Sequence, residues 1–264
     1  IISHEKFYLY NFNKKLSKLI PKFFNEGPET RIAYQKLSGS SPGIIFLGGF
    51  MSDMFGTKAT EIYKFCKKTK KSFLRFDYLG HGQSSGSFQD GTIGKWRNNA
   101  ISVLDHLTTG PQILIGSSMG AWIMMLTAIA KPKRIRALIG LASAPDFTTQ
   151  LLLKTLSKVQ LAKLKREGQI KIASEYSDEP YLITRNLFDE SKRHCILGKK
   201  VKIHCPIRLL HGLKDKDVPP LFSLRLANNI VSKDITVTFI KNGDHRLSDK
   251  SSLKQILNTL RDLF

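Results

Sequence analysis

From Thr108 to Ala130 the chain carries no charged residue, and from Ile113 onward the stretch is mostly apolar. A run of that length can cross a bilayer, but its middle forbids one continuous helix. Gly116, Ser117, Ser118 and Gly120 divide it into a strand-like Gln112-Ile113-Leu114-Ile115 and a helix-like run from Ala121 to Ala130. Small residues between two short apolar elements mark a tight turn. A buried strand turning directly into a buried helix is therefore expected, with no transmembrane segment.

Elements of these two kinds alternate on either side. Thr30 to Leu37 and Ile44 to Leu47 read as strands, and Lys58 to Lys68 as a helix with Ile62, Phe65 and Cys66 on its apolar face. Phe73 to Phe76, Trp96 to Leu107 and Ile135 to Leu141 follow as strand, helix and strand. The rhythm stops over residues 146–199, which read as helical and polar, with Leu151, Leu152, Leu156, Leu161 and Leu164 at helical spacing. Strand and helix return at Pro206 to Leu210, Leu221 to Val231, Ile235 to Ile240 and Ser251 to Phe264. Both flanks are needed to complete one sheet. The expectation is a single α/β domain over residues 1–264, with a mostly parallel central sheet, helices on both faces and a helical cap, residues 146–199, inserted within it.

Charge bears on partners. Lys and Arg number 42 against 21 Asp and Glu, a net charge of +21, which would suit nucleic acid or an anionic membrane. No nucleic-acid-binding motif interleaves aromatics with the basic runs, so no specific nucleic-acid partner is expected. The three cysteines, Cys66, Cys195 and Cys205, form no Cys-x-x-Cys pair. That argues against a disulfide framework or structural zinc and for a reducing compartment. The cytoplasm is the expected location, and the mitochondrial matrix is the alternative if the basic stretch from Ile1 to Pro21 is the remnant of a transit peptide. That stretch otherwise reads as a surface helix. Nothing in the sequence sets an oligomeric state. No metal-ligand spacing, complete dinucleotide fingerprint or Walker loop is present, so neither metal nor cofactor is expected.

The pattern Gly-x-Ser-x-Gly occurs three times, at Gly39 to Gly43, Gly82 to Gly86 and Gly116 to Gly120. A nucleophile elbow joins a strand directly to a helix, because the sharp turn lifts its serine above the sheet. The first match lies between two strand-like runs, and the second runs on into loop residues. Only the third follows a buried strand and opens an apolar helix, which makes Ser118 the candidate nucleophile.

Serine at neutral pH needs a base, and the base needs an acid to orient it. Two later strands run into suitable groups: Ile207 to Leu210 into a turn carrying Asp215 and Asp217, and Ile235 to Ile240 into one carrying Asp244 and His245. His245 is the expected base and Asp215 the preferred acid, with Asp217 as its rival. His211 and His81 precede any acid or the serine itself, and Asp244 adjoins the base; these read as turn or surface polar groups. The expected oxyanion donors are the backbone N–H groups of Met119, at the start of the helix after the elbow, and of Phe50, after Gly48-Gly49. Gly49, Met51, Met54 and Phe55 would then line the substrate pocket beside Phe50, unless these apolar side chains are ordinary core.

On these residues the sequence resembles the serine α/β-hydrolases. Within them it is similar to the small mitochondrial and bacterial esterases that include the palmitoyl-protein thioesterase and acyl-glucuronide esterase group. The likeness is carried by Gly56-Thr57-Lys58-Ala59, Arg75-Phe76-Asp77-Tyr78, Gly94-Lys95-Trp96-Arg97, Gly110-Pro111-Gln112-Ile113-Leu114, the run from Cys205 to Gly212, and Asp244-His245-Arg246. The resemblance implies an α/β-hydrolase fold and metal-free hydrolysis of a small acyl ester or thioester, or of an acylated protein. It places the family's triad on Ser118, Asp215 and His245. Two other readings stand beside it: carbon–carbon hydrolysis of a diketone or dienoate on the same triad, and a non-catalytic basic module for nucleic acid or anionic lipid.

Overall fold

The computed structural model describes residues 20–27, 29–172 and 180–264; the surface helix expected before residue 20 lies outside them. Chain order begins β1 (Lys22–Asn25), β2 (Arg31–Leu37), β3 (Ser40–Leu47), α1 (Thr57–Thr69), β4 (Lys71–Phe76), α2 (Ile93–Leu107), β5 (Gln112–Ser117), α3 (Met119–Ala130) and β6 (Ile135–Leu141). A π turn at Thr148–Leu152 and a helical turn at Leu153–Thr155 lead to α4 (Lys158–Glu167), β7 (Gln169–Ile172), β8 (Tyr181–Thr184) and α5 (Arg185–Ser191). The chain then completes β9 (Ile207–Gly212), α6 (Leu221–Asn229), β10 (Ile235–Ile240) and α7 (Lys250–Arg261).

One sheet runs in the order β1-β2-β4-β3-β5-β6-β9-β10. Its first two pairings are antiparallel and the rest parallel. Successive side chains of a strand point to opposite faces, and both faces here are apolar. In β3, Ile44 and Phe46 belong to one apolar cluster while Ile45 and Leu47 belong to the other; in β5, Ile113 and Ile115 divide from Leu114 in the same way. Such strands need helices on both sides. Ile62 and Phe65 of α1 cover the first face with Ile256 and Leu260 of α7. Trp96 and Val103 of α2, Trp122 and Met125 of α3, and Leu226 of α6 cover the second.

The uncharged stretch from Thr108 to Ala130 divides as its sequence demands. Every residue of β5 is buried, and so is α3 from Met119 to Ala128. A helix buried all round has no polar stripe to show. Among the described residues no helix is long and apolar enough to cross a membrane. The helix expected from Trp96 begins earlier, at Ile93, because the Thr92 hydroxyl caps it by accepting the Lys95 N–H at 3.2 Å.

Two features depart from expectation. β1, which follows the basic stretch from Ile1 to Pro21 and was not expected as a strand, pairs with the outer side of β2. Residues 146–199 are not wholly helical: β7 and β8 pair antiparallel, with Ile170 facing Ile183 in the register and both buried. Strands of four residues show too little alternation to stand out against lysine-rich neighbours. Leu161, counted into the helical stripe, is exposed, while Leu156 and Leu164 join the same apolar cluster as the sheet.

Candidate active site

β5, β9 and β10 are parallel neighbours or near neighbours, so their carboxyl ends open on one edge of the sheet, where ligands of open α/β sheets bind. The turn from β5 into α3 is tight enough to exclude side chains. A Cβ on Gly116 would lie 2.5 Å from the Ala121 Cα, and one on Gly120 would lie 2.2 Å from the Leu47 carbonyl oxygen. Between them Ser118 adopts φ 54° and ψ −119°, a strained backbone for a residue with a side chain. Its N–H donates to the Leu141 carbonyl at 2.9 Å, and its own carbonyl accepts the Ala121 N–H at 3.0 Å. The side chain is thereby turned away from sheet and helix.

Ser118 Oγ lies 3.0 Å from His245 Nε2, and His245 Nδ1 lies 2.8 Å from Asp215 Oδ2. Asp215 is fully enclosed, whereas His245 keeps partial solvent contact. The other Asp215 oxygen, Oδ1, accepts the N–H groups of Asp217 at 3.0 Å and Val218 at 2.8 Å. Burial alone would raise the Asp215 carboxyl. Hydrogen bonds from His211 and His245, the charge His245 can carry and the Val218 N–H outweigh it and hold the group well below the usual carboxylate range. The acid stays ionised, which is what orienting an imidazole requires. Asp215, Asp217 and His245 bring possible metal-ligand atoms within 4.8 Å of one another. The oxygens of Asp215 are already committed to N–H donors, so this cluster is built for hydrogen bonds.

The serine faces a cavity of about 630 Å³, within the range of small-molecule sites. Its lining includes the apolar side chains Phe50, Met51, Phe147, Leu151, Leu152 and Tyr181 and the charged side chains Lys58, Arg246, Asp53 and Asp217. Four of the apolar residues come from the segment 146–199. The Phe50 ring joins that segment to the α2 region: it meets Phe88 at 4.9 Å and Trp96 at 6.1 Å, and also Phe147 at 5.3 Å and Tyr181 at 6.1 Å. Gly49 brings the backbone before Phe50 against the elbow, since a Cβ there would lie 3.6 Å from that of Ser118. Met119 begins α3, with its side chain buried.

Residues 47–176 match the family described as alpha/beta hydrolase fold. Palmitoyl-protein thioesterase ABHD10, mitochondrial, from Homo sapiens is 42% identical over 246 residues, covering 91% of this chain and 79% of that protein. The solved structure of alpha/beta hydrolase domain-containing protein 10 from mouse superposes with a TM-score of 0.85 at 40% identity, over 92% of this chain and 97% of that one. A putative hydrolase from Agrobacterium vitis S4 gives a TM-score of 0.86 at 34% identity, over 92% and 97% of the two chains.

This chain belongs to the alpha/beta hydrolase family. It is a hydrolase, and the mostly parallel sheet with helices on both faces is that family's fold.

Within this alpha/beta hydrolase, the residues singled out from sequence fall into two groups. Ser118, Asp215 and His245 come together, and Gly49, Phe50 and Met51 line the cavity beside them. Met54 and Phe55 do not. Met54 is buried, with its N–H on Asp77 Oδ1 at 2.6 Å, and Phe55 lies under the Arg75 guanidinium at 4.7 Å. The loop after Gly49 turns back toward β4 at Met54, because the buried Asp77 carboxylate holds that N–H and the one of Gln83.

The other Gly-x-Ser-x-Gly matches have local work. The Ser84 hydroxyl accepts the Ala33 N–H at 2.8 Å and donates to the Asp77 carbonyl at 2.6 Å, while Ser41 lies in the first part of β3. Asp244 accepts the Leu247 N–H at 2.9 Å, as a turn residue does. His211, read as a turn or surface group, is instead fully buried against Asp215.

Lys58 was missed. It lines the cavity and donates to the Arg246 carbonyl, fastening α1 to the loop that holds His245. Burial, opposed by the charge of Asp244, brings its ammonium down to about 8. Its place beside Gly56-Thr57 at a helix start was the available signal, but nothing in its spacing pairs it with residue 246.

Proposed function

We propose that this alpha/beta hydrolase is a serine acyl hydrolase, cleaving an acyl thioester or ester through an acyl-enzyme on Ser118. Ser118 Oγ attacks the acyl carbonyl carbon as its proton passes to His245 Nε2, with Asp215 holding the Nδ1–H. The oxyanion accepts hydrogen bonds from the Phe50 and Met119 N–H groups. The bond to sulfur or oxygen breaks, and His245 returns the proton to the departing thiolate or alkoxide. Water then gives its proton to His245, attacks the acyl carbon and releases the carboxylic acid, and the proton returns to Ser118. Residues 146–199 act as a cap inserted within the single domain of residues 1–264, and the acyl chain lies along Phe50, Met51, Phe147 and Leu152.

The observation that carries this reading is the hydrogen-bond chain from Ser118 through His245 to Asp215 beside a cavity lined by Phe50, Met51, Phe147, Leu151, Leu152 and Tyr181. The relatives named palmitoyl-protein thioesterase support thioesters of long acyl chains as the substrate class, and the word mitochondrial in those names supports that compartment over the cytoplasm. A panel of matched p-nitrophenyl esters and acyl thioesters of graded chain length is expected to turn over, and Ser118→Ala to abolish it. Full turnover by Ser118→Ala would overturn the reading.

A further inference from the structure

One oxygen of Asp215 is shared by two imidazoles. Oδ2 meets His245 Nδ1 at 2.8 Å and His211 Nε2 at 3.0 Å. His211 belongs to β9 and is wholly buried. Its Nε2 also lies 3.0 Å from the Val218 carbonyl oxygen, and its Nδ1 lies 2.7 Å from Ser223 Oγ on α6. A carbonyl oxygen and an ionised carboxylate oxygen only accept, so Nε2 must carry a proton. The hydroxyl of Ser223 can donate to the bare Nδ1, which completes the hydrogen bonding of a neutral ring. With no exposed surface and both nitrogens engaged, His211 cannot itself move protons to or from substrate.

Its effect falls on the acid. Oδ1 is fixed by the Asp217 and Val218 N–H groups, so a second donor on Oδ2 leaves the carboxylate no freedom to rotate away from His245. We propose that His211, kept as its Nε2–H tautomer by Ser223, is a positioning residue that locks the Asp215 carboxylate onto His245. This rests on the acyl-hydrolase reading of Ser118, Asp215 and His245. The Nε2–H bond also takes a share of the carboxylate's charge, so the protonated form of His245 is held less tightly than a lone Asp–His pair would hold it. A second histidine on the acid thus serves geometry and the base's readiness together, as outer partners of metal-bound histidines do.

The test measures kcat and KM across pH for wild type, His211→Leu, His211→Gln and Ser118→Ala, with histidine ¹⁵N NMR on the wild type. His211→Leu is expected to lower kcat roughly 10–100-fold with KM within about twofold, and to move the acid limb of kcat/KM to higher pH. His211→Gln, whose side-chain amide can still donate toward Asp215, recovers most of the loss. The other charged groups that line the cavity with His245 or adjoin it are Asp53, Asp217, Asp244, Lys58 and Arg246; all persist in every variant, so a moved limb reports on His211. The NMR spectrum is expected to place the His211 proton on Nε2. A proton on Nδ1 alone, an unmoved limb with unchanged kcat in His211→Leu, or no recovery in His211→Gln overturns the proposal. Should His211→Leu fail to fold, the glutamine variant and the wild-type tautomer still decide it. Ser118→Ala with full turnover would instead sink the acyl-hydrolase reading, whatever His211 does.

Discussion

Asp146 and Ile196 stand near the two ends of residues 146–199, and they are joined. The Ile196 N–H lies 2.8 and 3.0 Å from the two Asp146 carboxylate oxygens, and the Leu197 N–H lies 2.8 Å from Oδ2. Burial pushes this carboxyl up, while the Leu197 and Ile196 N–H groups pull it back. One enclosed side chain therefore closes the base of a long insertion. Asp146→Ala is expected to cost about 3 kcal/mol, the scale of leaving buried N–H donors without a charged partner. It is also expected to raise KM for long-chain substrates more than for acetyl esters. Asp146 has φ 56°, which asparagine adopts readily, so Asp146→Asn keeps the backbone and one acceptor and costs about half as much. Thermal unfolding with paired KM values checks both.

Asp215→Asn is expected to lower kcat roughly 10³–10⁴-fold, as loss of the orienting acid does in a serine triad. It carries a signature in stability as well. The folded protein holds the Asp215 proton less tightly than the ordinary 3.8, so the stabilisation from ionised Asp215 is complete well above that value. It is lost as pH falls from there through the folded value. Urea unfolding of Asp215→Asn is expected to lose less stability on acidification than wild type. An equal acid loss in both would remove Asp215 as its source.

Leu152 is one of the apolar residues lining the cavity and is only partly buried. Enlarging it shortens the space without touching Ser118. Leu152→Trp is expected to cut kcat/KM for hexadecanoyl substrates about 10-fold or more while leaving acetyl and butyryl substrates within about threefold, the scale of added bulk in a hydrophobic pocket. Equal losses at every chain length would place the acyl chain elsewhere.

The elbow makes a severe packing demand. A Cβ on Gly120 would fall 2.2 Å from the Leu47 carbonyl oxygen and 2.4 Å from that of Gly48. Both are backbone atoms that cannot step aside as a flexible side chain can. Gly120→Ala is expected to destabilise by about 3 kcal/mol or to prevent folding. Gly198, with nothing within 4 Å of its virtual Cβ, serves as the control: Gly198→Ala is expected to stay within about 0.5 kcal/mol. Soluble yield and denaturant midpoint measure both.

What the sequence could show follows from how far apart the partners lie along the chain. β5 and α3 were legible because an uncharged stretch broken by small residues has few other ways to fold. Asp215 and His245 stood out because each follows a strand directly. Two kinds of feature stayed hidden. β7 and β8 have four residues each, too few for period to speak. The contacts of Asp146 with Ile196 and of Lys58 with Arg246 join residues fifty or more positions apart, which no local pattern encodes. His211 is visible as a residue but reads as a turn or surface polar group. A His-Gly pair at a strand end looks like a turn until Ser223 and Asp215 are folded onto it.

Lys58 gives the last test, because its structural and electrical roles separate. Its ammonium donates to the Arg246 carbonyl, so it braces the loop that presents His245. With its value brought down from 10.5 to about 8 by burial, the unfolded chain binds more protons than the folded one between those limits. Stability from this group therefore rises as pH climbs through that window. Lys58→Met removes both the brace and the titration. Wild type is expected to gain stability relative to Lys58→Met as pH increases from 8 to 10.5, and the variant is expected to lose kcat about 10-fold near neutrality through a loosened His245, the cost of a misplaced catalytic group. A stability gap that is constant with pH would mean the ammonium is solvated like any surface lysine. Unchanged kcat would mean the loop after β10 holds His245 without help from α1.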